Sequence, residues 1–98
     1  MGELVGEIMR RDEEILNITQ EECAELIQVI SKIRRFGPDG EYSGKTNSRR
    51  LTDEVGDILC MVDLLMQYKL VDKEEVNQAR LKKYEKLKIW SNIFKEEE

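Results

Sequence analysis

The feature that most restricts the fold of this chain is a single loop signal between two long helical patterns. The only proline, Pro38, lies in the stretch GPDGEYSGKTNS, residues 37 to 48, which also holds three of the six glycines. Glycine and proline interrupt regular structure more strongly than other residues do. On either side the apolar residues recur at helical spacing, without the alternation of an exposed strand. The pattern predicts an all-α chain in which two helices joined by this loop pack antiparallel.

The course of the first helix depends on a capping signal within it. Thr19, followed by Glu22 three residues later, matches a capping box and places a helix break at residues 16–18. The apolar residues around that point equally allow one helix to run straight through: Leu4, Val5, Ile8, Ile15 and Ile18. Both interpretations place the stretch EECAELIQ, residues 21 to 28, on a helix that precedes the loop.

Two further helices are predicted after the loop. Asn47 or Ser48 can cap the second helix, since short polar side chains accept hydrogen bonds from the first free backbone N–H groups. Asp72 has a glutamate three residues later and predicts the start of a last helix that ends near Phe94. The tail of residues 95–98 is expected to fray.

The size of the chain bounds its core. With 98 residues, of which 40 % are hydrophobic, residues 1–98 form one domain at the small end of what folds alone. Helices in so small a domain present more apolar surface than their own hairpin can cover, and such chains usually complete their core by oligomerising. We therefore expect a partner chain.

Charge and cysteine content exclude several classes of partner. With 21 acidic and 16 basic residues the net charge is −5, so no basic excess is available for binding nucleic acid. No apolar run approaches a membrane span, and the N-terminus is too acidic for a signal peptide. Cys23 and Cys60 lie in apolar helical stretches and are interpreted as reduced core thiols. We expect a soluble cytoplasmic protein with no nucleic-acid or membrane partner.

Carboxylates occupy positions in the first helix where apolar residues are expected. At about 100° per residue, Glu22 falls inside an apolar arc, between Val29 and Ile33. Glu25 lies at the edge of that arc and Glu21 just beyond it. An unpaired carboxylate in an apolar setting costs several kcal/mol, so stability alone does not explain the pattern.

The second helix repeats this pattern. Glu54 lies between Met61 and Leu65 on the helical wheel, and Asp57 lies between Leu64 and Met61. Since the two helices are expected to pack antiparallel, both acid pairs lie at similar heights above the loop, offset by less than about two turns. The four carboxylates can therefore face one another across the hairpin.

Clustered carboxylates need positive charge among them, from basic side chains or from a metal ion. The alternative is that these acids are ordinary solvated helix faces and partners in ion pairs. The chain has no histidine and no paired cysteines, which removes the usual ligands of zinc, haem and Glu-x-x-His di-iron sites. All-oxygen ligands indicate Mg²⁺, with Mn²⁺ as the other candidate. Magnesium held by a few carboxylates keeps positions for phosphate, so we expect a phosphorylated small molecule as substrate.

At these residues the sequence resembles the MazG-type nucleotide pyrophosphohydrolases of the all-α NTP pyrophosphatase superfamily. That family carries E-x-x-E on one helix and E-x-x-D on the next, matched here by Glu22-Cys-Ala-Glu25 and Glu54-Val-Gly-Asp57. The flanking stretches EECAELIQVISKIRRFG and LTDEVGDIL are similar, as is the lysine-rich last helix with its tryptophan. The similarity covers about residues 15–90 and is with the compact single-domain type.

The resemblance implies a Mg²⁺-dependent hydrolase that cleaves an NTP or dNTP between the α and β phosphates, releasing a nucleoside monophosphate and pyrophosphate. It also implies a four-helix-bundle-like core completed by a homodimer or homotetramer, with sites near subunit interfaces. On this resemblance the four metal ligands would be Glu22, Glu25, Glu54 and Asp57. Glu21 or Glu22 would be the base that orients the attacking water, and the choice between them stays open.

Other residues are candidates for holding the nucleotide. Basic side chains that can bind phosphate are Lys32, Arg35, Lys82, Lys83 and Lys86, with an ordinary solvated face as the alternative for the lysines of the last helix. Trp90 and Tyr84 can stack on a base, or lie in a core or interface. The loop residues that can close over substrate, or belong to an ordinary surface loop, are Tyr42, Lys45, Asn47 and Arg49.

Two other functions fit the same pattern. A non-catalytic helical interaction protein would use the acids to pair with a partner's basic residues. A phosphoribosyl-nucleotide pyrophosphohydrolase would share the metal chemistry and differ in substrate. The sequence does not determine the preferred base or sugar, the number of metal ions, or whether the assembly is a dimer or a tetramer.

Overall fold

The computed structural model describes the backbone of residues 2–95 and the side chains of residues 10–95. The helices are α1 (Gly2–Phe36), α2 (Asn47–Gln67) and α3 (Lys73–Trp90), and a short hairpin, β1 (Glu41–Tyr42) and β2 (Lys45–Thr46), lies between α1 and α2. The all-α prediction is confirmed. Helices α1 and α2 form the main packed pair. Within residues 2–95 every helix is too short or too polar to span a bilayer.

Helix α1 runs unbroken through residues 16–18, so the interpretation of one continuous helix is confirmed and the capping box is wrong. The Thr19 hydroxyl instead donates a hydrogen bond of 2.7 Å to the Ile15 carbonyl, one turn earlier. Threonine within helices commonly makes this bond. The helical spacing of apolar residues on both sides outweighs the local capping signal.

The loop begins at Gly37, where α1 ends. Gly37 adopts φ +83, and its N–H bonds to the Ile33 carbonyl at 2.7 Å, as in helices that end on a left-handed glycine. The chain then forms the β1–β2 hairpin, in which Glu41 pairs with Thr46. Ser43 and Gly44 at its tip have φ 52 and 80, the positive values that a type I′ turn needs. The sequence pattern missed this hairpin because two-residue strands leave no alternation to detect.

The start of α2 is fixed by Thr46, whose side chain accepts a 3.1 Å bond from the Arg49 N–H. The cap thus lies one residue before Asn47 and two before Ser48, the two predicted caps. Asn47 is buried instead, and its Nδ2 donates to the Gly37 carbonyl at 3.0 Å, which ties the two ends of the loop together. A Cβ at Gly40 would come within 2.9 Å of that Nδ2, so this close approach requires glycine.

Helix α3 begins as predicted. The Asp72 side chain accepts a 2.9 Å bond from the Glu75 N–H. The helix ends at Trp90, earlier than the predicted Phe94, and the Ser91 hydroxyl donates to the Leu87 carbonyl at 2.7 Å. The predicted fraying of residues 95–98 falls, for 96–98, outside the described residues.

The single chain is a thin layer of helices with little core. Its extents are 55 × 39 × 15 Å. Of the described hydrophobic residues, Ile15 and Met61 alone are buried. Large hydrophobic side chains that stay exposed are Leu16, Ile27, Ile30, Phe36, Tyr42, Val55, Leu59, Val71, Leu81, Tyr84, Ile89, Trp90 and Ile93.

Both cysteines are free and exposed. The predicted burial of Cys23 and Cys60 in a core is wrong for the single chain. The reason is that one layer of helices covers only one side of each apolar arc.

Candidate metal centre

Three carboxylates meet between the packed helices α1 and α2. Glu22, Glu25 and Glu54 each offer one oxygen, and these three oxygens lie within 4.8 Å of one another. The i, i+3 spacing of the two α1 acids places them on neighbouring positions of one helix face. Glu54 lies about two turns into α2, at the height of the α1 pair. We call these three residues the carboxylate cluster.

The carboxylate cluster is buried at one end and open at the other. Glu54 is only 6 % exposed, Glu22 is half-buried, and Glu25 is exposed. Glu54 Oε1 and Glu22 Oε2 are both buried and find no hydrogen-bond partner among the residues that the structure describes. A buried carboxylate oxygen without a partner is costly, so this arrangement favours a cation that the oxygens can share.

Burial, followed by the neighbouring carboxylates of Glu22 and Glu25, raises the pKa of Glu54 to about 8. Removal from water disfavours the charged form, and nearby negative charge disfavours it further. At neutral pH the metal-free cluster therefore keeps a proton on Glu54. A divalent cation would reverse this effect, because it stabilises the ionised carboxylates.

The donor set fits a hard divalent cation. Three carboxylates and space for water give the all-oxygen coordination that Mg²⁺ and Mn²⁺ prefer. The sequence predicted two further residues near this site. Asp57 is exposed and its oxygens are not part of the carboxylate cluster, although its i, i+3 spacing from Glu54 equals that of Glu22 and Glu25. Glu21 is also exposed and outside the cluster.

A basic pocket adjoins the carboxylate cluster. It is a cavity of about 240 Å³ that shares Glu25 and Glu54 with the cluster. Its other lining residues are Gln28, Val29, Lys32, Lys45, Arg50 and Asp53. The lining thus holds three cationic side chains and three carboxylates, two of which belong to the carboxylate cluster. A cation on the cluster would offset those two carboxylates and suit the cavity to a polyanion that also binds metal.

Asp53 organises one wall of the basic pocket. Its two carboxylate oxygens contact Lys45 Nζ at 3.1 Å and Arg49 Nε at 3.0 Å. The hydrogen bond from Lys45, with a further contribution from the charge of Arg49, lowers the pKa of Asp53. Asp53 therefore stays ionised and joins β2 to the first turns of α2.

Arg50 forms a second wall and carries an unused donor. Its guanidinium donates to the Tyr42 carbonyl and lies 5.3 Å from the Tyr42 ring centroid. Lys32 Nζ lies 5.4 Å from the same ring. The Nε of Arg50 is buried and has no hydrogen-bond partner within the described part of the chain, so one N–H is left for a bound acceptor.

The structure brings only part of the predicted substrate-binding set to this site. Lys32 lines the basic pocket, and Lys45, proposed only as a loop residue, lines it too. Arg35 is exposed and lies 5.1 Å from the Phe36 ring, outside the pocket lining. The predicted residues of α3 are exposed and line neither the pocket nor the cluster: Lys82, Lys83, Lys86 and Trp90.

The sequence contained a signal for the residue that was missed. Arg50 precedes Glu54 by four positions, which puts both side chains on the same face of α2. Lys32 and Gln28 follow Glu25 by seven and three positions and share a face of α1 in the same way. The helix faces that carry the acids therefore predict the basic pocket, which the basic run of α3 does not line.

Comparison with known proteins agrees with this geometry. A family model described as the MazG nucleotide pyrophosphohydrolase domain matches residues 10–88. The matched range contains the carboxylate cluster and every residue that lines the basic pocket. No curated protein and no solved structure gives a match. The match spans most of the chain and confirms the resemblance seen in the sequence, so the protein belongs to the MazG nucleotide pyrophosphohydrolase domain family.

Proposed function

We propose that the chain is a Mg²⁺-dependent nucleoside triphosphate pyrophosphohydrolase. It would cleave an NTP or dNTP between the α and β phosphates, releasing a nucleoside monophosphate and pyrophosphate. Membership of the family indicates nucleotide pyrophosphohydrolase activity in general terms. The observation that carries the finer proposal is the junction of the carboxylate cluster with the basic pocket, which share Glu25 and Glu54.

Glu22, Glu25 and Glu54 are the residues that would hold the metal, with Mn²⁺ as the other candidate ion. The bound ion supplies positive charge to phosphate oxygens and lowers the pKa of a coordinated water. The orphaned oxygens Glu54 Oε1 and Glu22 Oε2 support this assignment. The part of Asp57 in metal binding stays a prediction, as its side chain lies outside the cluster.

The phosphate chain would lie in the basic pocket. Lys32, Lys45 and Arg50 can each donate to phosphate oxygens, and charge-assisted bonds of this kind are about twice as strong as neutral ones. The buried Nε of Arg50 has no competing partner among the described residues. These side chains would hold the triphosphate in line with the attacking water, which is the main protein contribution in phosphoryl transfer.

Glu22 is the better placed of the two predicted general bases. It belongs to the carboxylate cluster and has a buried oxygen without a partner among the described residues, whereas Glu21 is exposed outside the cluster. A base has to lie within hydrogen-bond reach of the water it deprotonates. We therefore propose that Glu22 orients the attacking water.

The test incubates the purified protein with NTPs, dNTPs and phosphoribosyl nucleotides, with and without Mg²⁺, and identifies the products. We expect monophosphate and pyrophosphate only when metal is present. Glu54→Gln should lose at least about a hundredfold in kcat/KM, on the scale of one lost electrostatic group in a site. Glu13→Gln, an isosteric change of an exposed α1 glutamate, is the matched control and should retain activity.

Other outcomes separate the alternatives. Hydrolysis confined to phosphoribosyl nucleotides would assign that reaction instead. No hydrolysis of any substrate, by a protein whose helical circular dichroism is intact, would overturn the proposal and leave the interaction protein. Asp57→Asn settles the fourth predicted ligand: a loss as large as that of Glu54→Gln places Asp57 on the metal, and near-normal activity excludes it.

A further inference from the structure

A second cavity adjoins the basic pocket on the other side of Lys32. It measures about 400 Å³, within the range of about 300–1,000 Å³ typical of small-molecule sites. Lys32 lines both cavities, so they are neighbours along α1. The remaining lining residues are Phe36, Gly40, Glu41, Tyr42 and Asn47. We call this cavity the aromatic cleft.

Two exposed aromatic side chains line the aromatic cleft. Phe36 is 66 % exposed and Tyr42 is 65 % exposed. A single exposed aromatic residue on a surface is ordinary. Here two exposed aromatic residues line the same cavity, next to a pocket that holds three cationic side chains. Their rings provide flat apolar faces beside the proposed phosphate site.

The aromatic cleft is held in shape by contacts already present. The Tyr42 carbonyl accepts a hydrogen bond from Arg50, and the Tyr42 ring lies near both Lys32 and Arg50. Asn47 is buried and bonds the loop back to Gly37, while Gly40 leaves no room for a side chain. A cleft that needs no rearrangement loses little entropy when a ligand enters.

We infer that the aromatic cleft binds the nucleobase of the substrate, with the base stacking on Phe36 and Tyr42. This inference rests on the proposed function, because it places the triphosphate in the basic pocket. Bases stack on aromatic side chains with little dependence on sequence, since every base has a π face. Lys32 and Arg50 link the two cavities, as both contact the Tyr42 ring and both line the basic pocket.

This placement differs from Trp90 and Tyr84, the two residues that the sequence offered for stacking on a base. Trp90 is 83 % exposed on α3 and lines neither cavity, and Tyr84 lies against Phe94 at a centroid distance of 6.2 Å. The aromatic residues next to the phosphate-binding side chains are Phe36 at the end of α1 and Tyr42 of β1. The base therefore stacks at the β1–β2 hairpin and not on α3.

The experiment measures dissociation constants for two probes in the presence of Mg²⁺. One is an α,β-methylene nucleoside triphosphate, which cannot be cleaved at the proposed bond, and the other is inorganic tripolyphosphate, which has the charge but no base. Tyr42→Ala and Phe36→Leu should each weaken the nucleotide analogue by about tenfold, the scale of one lost stacking contact. Phe36→Leu should leave tripolyphosphate binding unchanged, and Tyr42→Ala should weaken it far less than nucleotide binding, because Lys32 and Arg50 lose only the ring beside them. Tyr42→Ala keeps the carbonyl that Arg50 uses, and Tyr42→Trp should restore nucleotide binding.

Trp90→Ala is the matched control and should bind both probes like the unaltered protein. Weakening of the nucleotide analogue in Trp90→Ala but not in Tyr42→Ala would overturn the inference and place the base on α3. Equal weakening of both probes in Tyr42→Ala would also overturn it, since the effect would not concern the base. If the unaltered protein binds the analogue no more tightly than tripolyphosphate, the inference fails and the proposed function stands. If it binds neither probe and hydrolyses no nucleotide, both fail.

Discussion

Glu54 is the one charged side chain that is buried among residues 10–95, and its ionisation governs the site. Its pKa is raised from 4.5 to about 8, so the folded protein favours the protonated form. The resulting stabilisation is fully present below pH 4.5 and is lost as the pH rises through 8. We expect the free energy of unfolding of the metal-free protein to fall between about pH 5 and pH 8.

The measurement is chemical denaturation at several pH values in the presence of a chelator. Glu54→Gln should remove most of the slope over this window, because glutamine does not titrate. Addition of Mg²⁺ should restore stability above neutral pH, since the ion replaces the proton. An unchanged slope in Glu54→Gln would show that other groups carry the pH dependence.

At the scale of residues, the sequence located all three members of the carboxylate cluster and added Asp57, which lies outside it. Glu22 and Glu54 were identified because each interrupts an apolar arc, and helical spacing is a strong constraint on which side chains share a face. Asp57 fits the same motif yet lies outside the cluster. The rotation of α2 against α1, the way the two helices face each other, decides which of its neighbouring side chains reaches the cluster. That facing depends on packing, which periodicity does not specify.

At the scale of elements, the β1–β2 hairpin carries part of the site into position. Asp53 on α2 holds Lys45 of β2 at 3.1 Å, at the edge of the basic pocket. The pair is solvent-exposed, so it contributes little to stability. Asp53→Asn should therefore leave the melting temperature nearly unchanged and raise the KM for nucleotide a few-fold, because Lys45 is no longer positioned.

A double-mutant comparison separates positioning from a direct effect. If Asp53 acts through Lys45, then Asp53→Asn should add no further change in KM to the Lys45→Ala protein. Additive effects of the two substitutions would show that Asp53 acts on the substrate in its own right. Asp63→Asn, an exposed aspartate on the same helix, is the control for loss of one negative charge.

Elements were predicted best where a local signal fixes them. Asp72 marked the start of α3, and the glycines of the loop marked the end of α1. The substrate role assigned to α3 had no such basis, since a run of lysines indicates charge and not location. The position of α3 relative to α1 and α2 depends on contacts that the spacing of apolar residues does not determine.

At the scale of the whole molecule, the single chain has the dimensions of an incomplete domain. Its smallest extent is 15 Å, little more than the diameter of one helix with side chains, about 10–12 Å. Stable domains are built from at least two packed layers around a core. The prediction that the core is completed by a homodimer or homotetramer, in a four-helix-bundle-like arrangement, is therefore retained as a proposal.

Mass measurement by light scattering after size-exclusion chromatography tests this proposal. The chain has a mass of 11.5 kDa, and we expect a particle of two or four copies at micromolar concentration. Ile27 is 69 % exposed on α1 in the single chain. Because a partner copy would cover this apolar side chain, Ile27→Glu should lower the mass of the particle or unfold the protein. Gln20→Glu, an exposed polar position on the same helix, should leave the mass unchanged. A folded 11.5 kDa particle for the unaltered chain would contradict the proposal, since its exposed apolar side chains would then need no partner copy.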